Sequence, residues 1–264
     1  MARDNRLGEL GIHQRQRRGQ GMEFHQLREY RVGDSMRQID WKATSRLRKA
    51  ISREYRDERD QQVFFLLDHG RRMHSRDGDL THLDHALNAV LLLAYVALRQ
   101  GDAVGLMTLG ASRRFIAPRK GPSHVNTILD TVFDLKSTRE ATDLYAATED
   151  ALGRIKKRSL FVILTNLRDD PPEDIVSVVR LAQRRHVVLL ASMRERVLMD
   201  AMQALPATFD AALTIASCHH YLRHRRRAHQ QLAGIGAHTL DVEPFKLPRY
   251  LVNRYLDIKA SGVL

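Results

Sequence analysis

The sequence predicts an α/β domain: a doubly wound, mostly parallel sheet with helices on both faces, preceded by an N-terminal arm and strand segment. Three observations carry the prediction. Five apolar runs read as buried strands, at 62–68, 102–109, 159–165, 186–192 and 236–242. Amphipathic helical patterns lie between them, at 79–99, 123–135, 142–157, 171–185 and 208–232, and another closes the chain at 246–259. Strands that alternate with helices build a parallel sheet covered on both sides.

Each element has its own justification. Residues 1–20 are polar and rich in Arg and Gln, and are expected to form a flexible basic N-terminus. Residues 21–60 form a distinct segment with the only tryptophan, Trp41, a Gly33-Asp34 turn signal and many paired charges. Within it "KAISREYRDE" alternates Ile51, Arg53 and Tyr55 against Ser52 and Glu54, a strand-like period. From 61 to 264 the strand–helix alternation defines the main domain. "SRRFIAPR" reads as a short edge strand, joined by a hairpin to 102–109. Asp170-Pro171-Pro172-Glu173 supplies a helix N-cap, proline at the first helical position and an acid in the first turn. There is no repeat of 20 to 50 residues.

Composition narrows the function classes. The 264 residues suffice for one large core. A single cysteine, Cys218, excludes an internal disulfide framework. "MARDNRLGEL" is no signal peptide, and "AVLLLAYVAL" at 89–98 is too short to span a membrane, so the expectation is a soluble cytoplasmic protein. The net charge of +12 favours an anionic partner, with dense cationic patches in "RQRRGQG" and in "RHRRR" at 223–227. An electrostatic nucleic-acid binder is therefore one reading. Against it, only 6% of residues are aromatic, and none interleave with the basic runs.

Asp68 ends the apolar run Val63–Leu67, and Arg71 and Arg72 follow at once. In a doubly wound sheet, ligands sit outside the carboxyl ends of the strands where strand order reverses. If 62–68 is central and 159–165 its neighbour, then Asp68, Asn166, and the helix-opening Thr142 and Asp143 converge on one crevice. Two readings of the arginines stand. One of them folds back to pair with Asp68, or both face solvent and Asp68 caps the next turn. No phosphate loop, nucleophile elbow or His-Glu-x-x-His signature points to an enzyme. His82 and His85, at i and i+3, are read as solvent-facing helix residues, and His220 and His224 as part of a basic helix. Asp169, Asp170, Glu173 and Asp174 are read as helix caps and dipole partners.

"GMEFHQLREYRVGDSMRQIDWKATSR" at 21–46 resembles the signature of the domain-of-unknown-function 58 family. The matching residues are Gly21, Phe24, Leu27, Arg28, Tyr30, Gly33, Asp34, Arg37, Ile39, Asp40 and Trp41. The C-terminal "VNRYLDIKASGVL" resembles the family's ending, and the likeness covers roughly residues 15–262. The resemblance implies a von Willebrand factor A-like domain and a short, soluble member without the membrane helices of larger ones. It also implies a partner, a MoxR-type AAA+ ATPase with its client protein, for which the chain would act as adaptor or co-chaperone. The fold usually holds Mg²⁺ through an Asp-x-Ser-x-Ser run, a threonine and a second aspartate. This chain keeps Asp68 and Thr142, but has Gly70 and Arg72 in place of the serines and Asn166 in place of the second aspartate. A degenerate metal site, no metal and no cofactor are expected. The 21–60 segment is either a clasp on the domain edge or a surface that a partner recognises, with Arg28, Arg37 and Asp40 in a charge lattice.

Overall fold

The computed structural model describes residues 23–31, 36, 39–56, 61–167, 172–203 and 205–264. They fall into two compact units, 23–56 and 61–264. Gly33, Asp34 and Arg37 of the signature, together with residues 1–20, lie outside the described residues.

In the first unit, strands β1 (Glu23–Glu29) and β2 (Ile51–Arg56) pair antiparallel around helix α1 (Trp41–Leu47). The sequence period foresaw β2, but neither β1 nor α1. Asp40 starts α1 as its N-cap, its carboxylate accepting from the Ala43 amide at 3.0 Å, a role the charge-lattice reading did not assign. The Asp40 amide donates to Ile51 O at 2.8 Å and the Ile51 amide to Thr44 Oγ1 at 3.0 Å, so helix and strand are stitched at one corner. Arg48 ends α1 in the left-handed conformation. Trp41, the first helical residue, is 70% exposed.

The second unit contains strands β3 (Gln62–Asp68), β4 (Arg76–Asp77), β5 (Leu80–Thr81), β6 (Ala103–Leu109), β7 (Phe115–Arg119), β8 (Leu160–Leu164), β9 (Val187–Met193) and β10 (His238–Val242). Its helices are α2 (His82–Arg99), α3 (His124–Val132), α4 (Leu144–Arg154), α5 (Pro172–Gln183), α6 (Arg196–Gln203), α7 (Phe209–Gly234) and α8 (Leu247–Ser261). The sheet order is β10-β9-β8-β3-β6-β7, parallel except for β7, which pairs antiparallel with β6. α6 and the small β4–β5 hairpin were not foreseen.

Side-chain alternation along β3 divides the core. Val63, Phe65 and Leu67 join α2, α3 and α8 on one face. Phe64 and Leu66 join α4, α5 and α7 on the other. All seven residues of β3 are buried, which is why its sequence is continuously apolar. α2 begins with a reciprocal capping box in which Thr81 and Asp84 satisfy each other's backbone amides. At the amino end of the sheet, buried Asp102 accepts from Lys259 Nζ of α8 at 2.6 Å and from the Tyr255 hydroxyl, which fastens α8 to the sheet. At the β7 edge, Gly105 of β6 leaves room for Pro118 of β7: a Cβ there would lie 2.7 Å from the proline ring.

Candidate functional site

The chain runs from β3 out to β6 and β7, then crosses back to β8 on the other side of β3. Strand order therefore reverses between β3 and β8, and the crevice of a doubly wound sheet opens there, at the carboxyl ends. Asp68 sits at that point with no exposed surface. Its Oδ1 accepts from the Gly70 amide at 2.8 Å and from the Thr142 hydroxyl at 3.1 Å, and its Oδ2 accepts from the Thr165 hydroxyl at 2.7 Å. A buried carboxylate costs several kcal/mol unless it is paired and hydrogen-bonded, and these three donors meet most of that demand.

The two readings of the arginines are combined. Asp68 does cap the turn through Gly70, and Arg71 is exposed. Arg72 turns inward: its Nη1 donates to Thr142 Oγ1 at 2.9 Å and to Thr142 O at 3.2 Å, and lies 3.9 Å from Asp68 Oδ2. Thr142 thus relays between cation and carboxylate, accepting from Arg72 and donating to Asp68. The 3-10 turn Arg71–Met73 after β3 aims the side chain, and the Arg71 amide anchors that turn by donating to Glu140 O at 2.9 Å.

Asn166 reaches the same end of the sheet, but its hydrogen bonds lead away from Asp68. Its amide nitrogen donates to Arg72 O at 3.1 Å and meets His82 Nδ1 at 2.5 Å, while its Oδ1 accepts from the Met193 amide at 2.9 Å. Asp143 caps α4, accepting from the Ala146 amide at 2.9 Å. A cavity of about 530 Å³ opens beside these groups, with Arg72, Thr142, Asp143 and Asn166 on one wall and Ile175 and Val178 of α5 on the other.

Two expectations are corrected. His82 and His85 are buried, not solvent-facing: the capping box turns the first turn of α2 into the core, and burial holds His85 below the ordinary histidine pKa. Arg225 does not belong to a surface cationic run. It is buried, its Nε and Nη2 donating to Asp241 Oδ1 at 3.0 and 2.8 Å, its Nη2 also to Ser192 Oγ and Met193 O, and its Nη1 to Leu167 O. One guanidinium so ties together the carboxyl ends of β8, β9 and β10. The spacing Cys218, Leu222, Arg225, His229, Leu232 could have revealed it, since it puts Arg225 on the inner stripe of α7. Thr165 was also missed. The register pairs Leu67 with Leu164, which sets Thr165 opposite Asp68. Among the described residues no group of three or more His, Cys, Asp or Glu side chains is placed to hold a metal ion.

A parallel sheet of this order, with an acidic strand end at the reversal and a threonine-bearing loop against it, defines a doubly wound α/β domain. The chain belongs to the family described as "Protein of unknown function DUF58", which matches residues 26–230. It is 25% identical over 241 residues to the uncharacterised protein Rv1480 of Mycobacterium tuberculosis, covering 85% of this chain and 75% of that one. Its identity to the uncharacterised protein YeaD of Bacillus subtilis is 20% over 176 residues, 66% of this chain and 41% of that one. Similar solved structures include the SpRpn10 VWA domain (TM-score 0.45, 14% identity, 74% of this chain and 94% of that one). Another is the conserved hypothetical protein BatB from Bacteroides thetaiotaomicron (TM-score 0.48, 12% identity, 76% and 99%). No helix among the described residues is long and apolar enough to cross a membrane.

Proposed function

We propose that this chain is a non-enzymatic protein-interaction module, the adaptor or co-chaperone partner of a MoxR-type AAA+ ATPase, and that Arg72 has supplanted the metal ion of its crevice. The partner protein is gripped by Arg71, Arg72, Thr142 and Asp143 at the mouth of the crevice, with buried Asp68 and Asn166 holding that surface from beneath, and the ATPase supplies the work on a client protein. The observation that carries this reading is the position of the Arg72 guanidinium, 2.9 Å from Thr142 Oγ1 and 3.9 Å from Asp68 Oδ2. Mg²⁺ demands oxygen ligands in near-octahedral array. The Thr142 hydroxyl is engaged by a cation instead, and Asn166 Oδ1 by the Met193 amide. Gly70 carries no side-chain oxygen, and a Cβ there would lie 2.5 Å from Thr142 Cγ2 and 2.7 Å from Glu140 O, so a serine does not fit this backbone.

Two measurements test the reading. Calorimetric titration with Mg²⁺ is expected to give no binding tighter than about millimolar, the range of weak oxygen-ligand sites; tighter binding would defeat the ion replacement. The chain is expected to co-purify with a MoxR-type ATPase from its own organism and to change that ATPase's rate. Arg71→Glu, at the exposed arginine of the same turn, should weaken the complex about tenfold or more while the melting temperature stays nearly unchanged, whereas Arg72→Glu should also lower the melting temperature by setting a second carboxylate beside buried Asp68. Equal binding by wild type and variant would remove the crevice from the interaction.

A further inference from the structure

α7 is 26 residues long, about 39 Å at 1.5 Å per residue. Its inner stripe is buried only from Cys218 onward; Phe209 to Ser217 contribute no buried residue, although α6 lies alongside. The outer ridge of the helix carries a second pattern. Phe209, Leu213, Ala216, His220, Arg223 and Arg227 are spaced 4, 3, 4, 3 and 4 residues apart, and all six are exposed. That is the spacing by which one helix meets another along a coiled-coil seam. The apolar end is laid open to water, with Phe209 82% and Leu213 56% exposed. At the other end, Arg223 and Arg227 have no ion pair among the described residues.

We propose that this ridge is a docking surface for a partner helix with apolar residues facing Phe209–Ala216 and acidic residues facing His220–Arg227. Charge complementarity selects the partner. The chain's own residues 1–20 have the wrong sign, with five arginines against Asp4 and Glu9. A second copy packed two-fold would set the apolar end of one ridge against the arginines of the other if antiparallel, and arginine against arginine if parallel. Asp210 stands in the first turn at the apolar end, which disfavours an anionic bilayer. The ridge is separate from the crevice at Asp68, so it stands or falls independently of the function proposed above.

The test uses the full chain and labelled four-heptad helical peptides with leucine at the seam positions of one half and glutamate at those of the other, in both polarities. Twin peptides carry lysine in place of glutamate. Fluorescence anisotropy is expected to show one glutamate polarity binding about tenfold more tightly than its lysine twin, the scale of a few partly exposed charge pairs. The double variant Phe209→Ser, Leu213→Ser should lose binding, and Arg223→Glu with Arg227→Glu should invert the preference towards lysine. These positions are exposed, so all variants should keep the wild-type melting temperature. Equal affinity for both twins, or no binding by either, would overturn the proposal. So would sedimentation showing a dimer that Leu213→Ser dissolves, or ridge-dependent binding to phosphatidylglycerol vesicles.

Discussion

Asp68 and Arg225 pose the same problem and solve it differently. Each is a buried charge at the carboxyl edge of the sheet, one satisfied by hydroxyls and an amide, the other by a carboxylate and two backbone carbonyls. His229 shares the Arg225 pocket, 3.0 Å from Ser192 Oγ and 3.8 Å from Asp241 Oδ1. Burial is the main reason that its pKa falls to about 4; Arg225 and Arg194 push the same way and Asp241 opposes them. The folded pKa lies below the unfolded value of about 6.5, so the stability it contributes is complete above pH 6.5 and is lost as pH falls towards 4. That loss is about 3 kcal/mol at the 1.36 kcal/mol per unit of this linkage. The advantage of wild type over His229→Leu in urea midpoint should therefore shrink between pH 7 and pH 4; a pH-independent difference would show that His229 does not titrate there. The sequence made Asp68 legible, because an acid closing an apolar run is conspicuous. Arg225 and Thr165 were hidden. A lone inward arginine looks like its neighbours in a basic run, and a threonine gains meaning only once the β3–β8 register is known.

At the scale of elements, the turn after β3 decides what the crevice can hold. Gly70 lets the chain pass beneath Thr142, and this close approach brings Arg72 to the hydroxyl. Gly70→Ser should lower stability by about 1–3 kcal/mol through overpacking, measurable by chemical denaturation, and should not create Mg²⁺ affinity. A stable serine variant that binds the ion would reverse the account of this turn. The long strands and helices were readable to within a few residues, since period and apolar content point the same way. β1 and α1 were not: the segment's charges and turn residues mask both periods, β1 is held by its pairing with β2, and α1 by a corner in which the Asp40 amide donates to Ile51 O and the Ile51 amide to the Thr44 hydroxyl. α6 was missed because eight residues after a strand leave too little pattern to see.

For the molecule as a whole, two fastenings at opposite ends of the sheet do different work. Arg225 gathers three strand ends beside the crevice, while Lys259 and Tyr255 pin the last helix through Asp102 at the far end. Burial raises the Asp102 pKa despite Lys259, so Lys259→Met should cost about 3–5 kcal/mol at neutral pH by leaving that carboxylate uncompensated. The raised value means that this cost fades in acid as Asp102 takes up a proton, and adding Asp102→Asn should restore part of the loss in thermal melts. An equally large loss at pH 4 would assign the effect to packing. The fold class was legible at this scale because the alternation of strand and helix is global, whereas a long-range pair such as Asp102–Lys259 leaves no local mark. Pro118 carries one more implication. It has no amide hydrogen to offer, and it stands on the outermost strand, where a foreign chain could otherwise lay down a seventh. With Gly105 tucked beneath it, that border is blunted, and runaway strand addition is discouraged there.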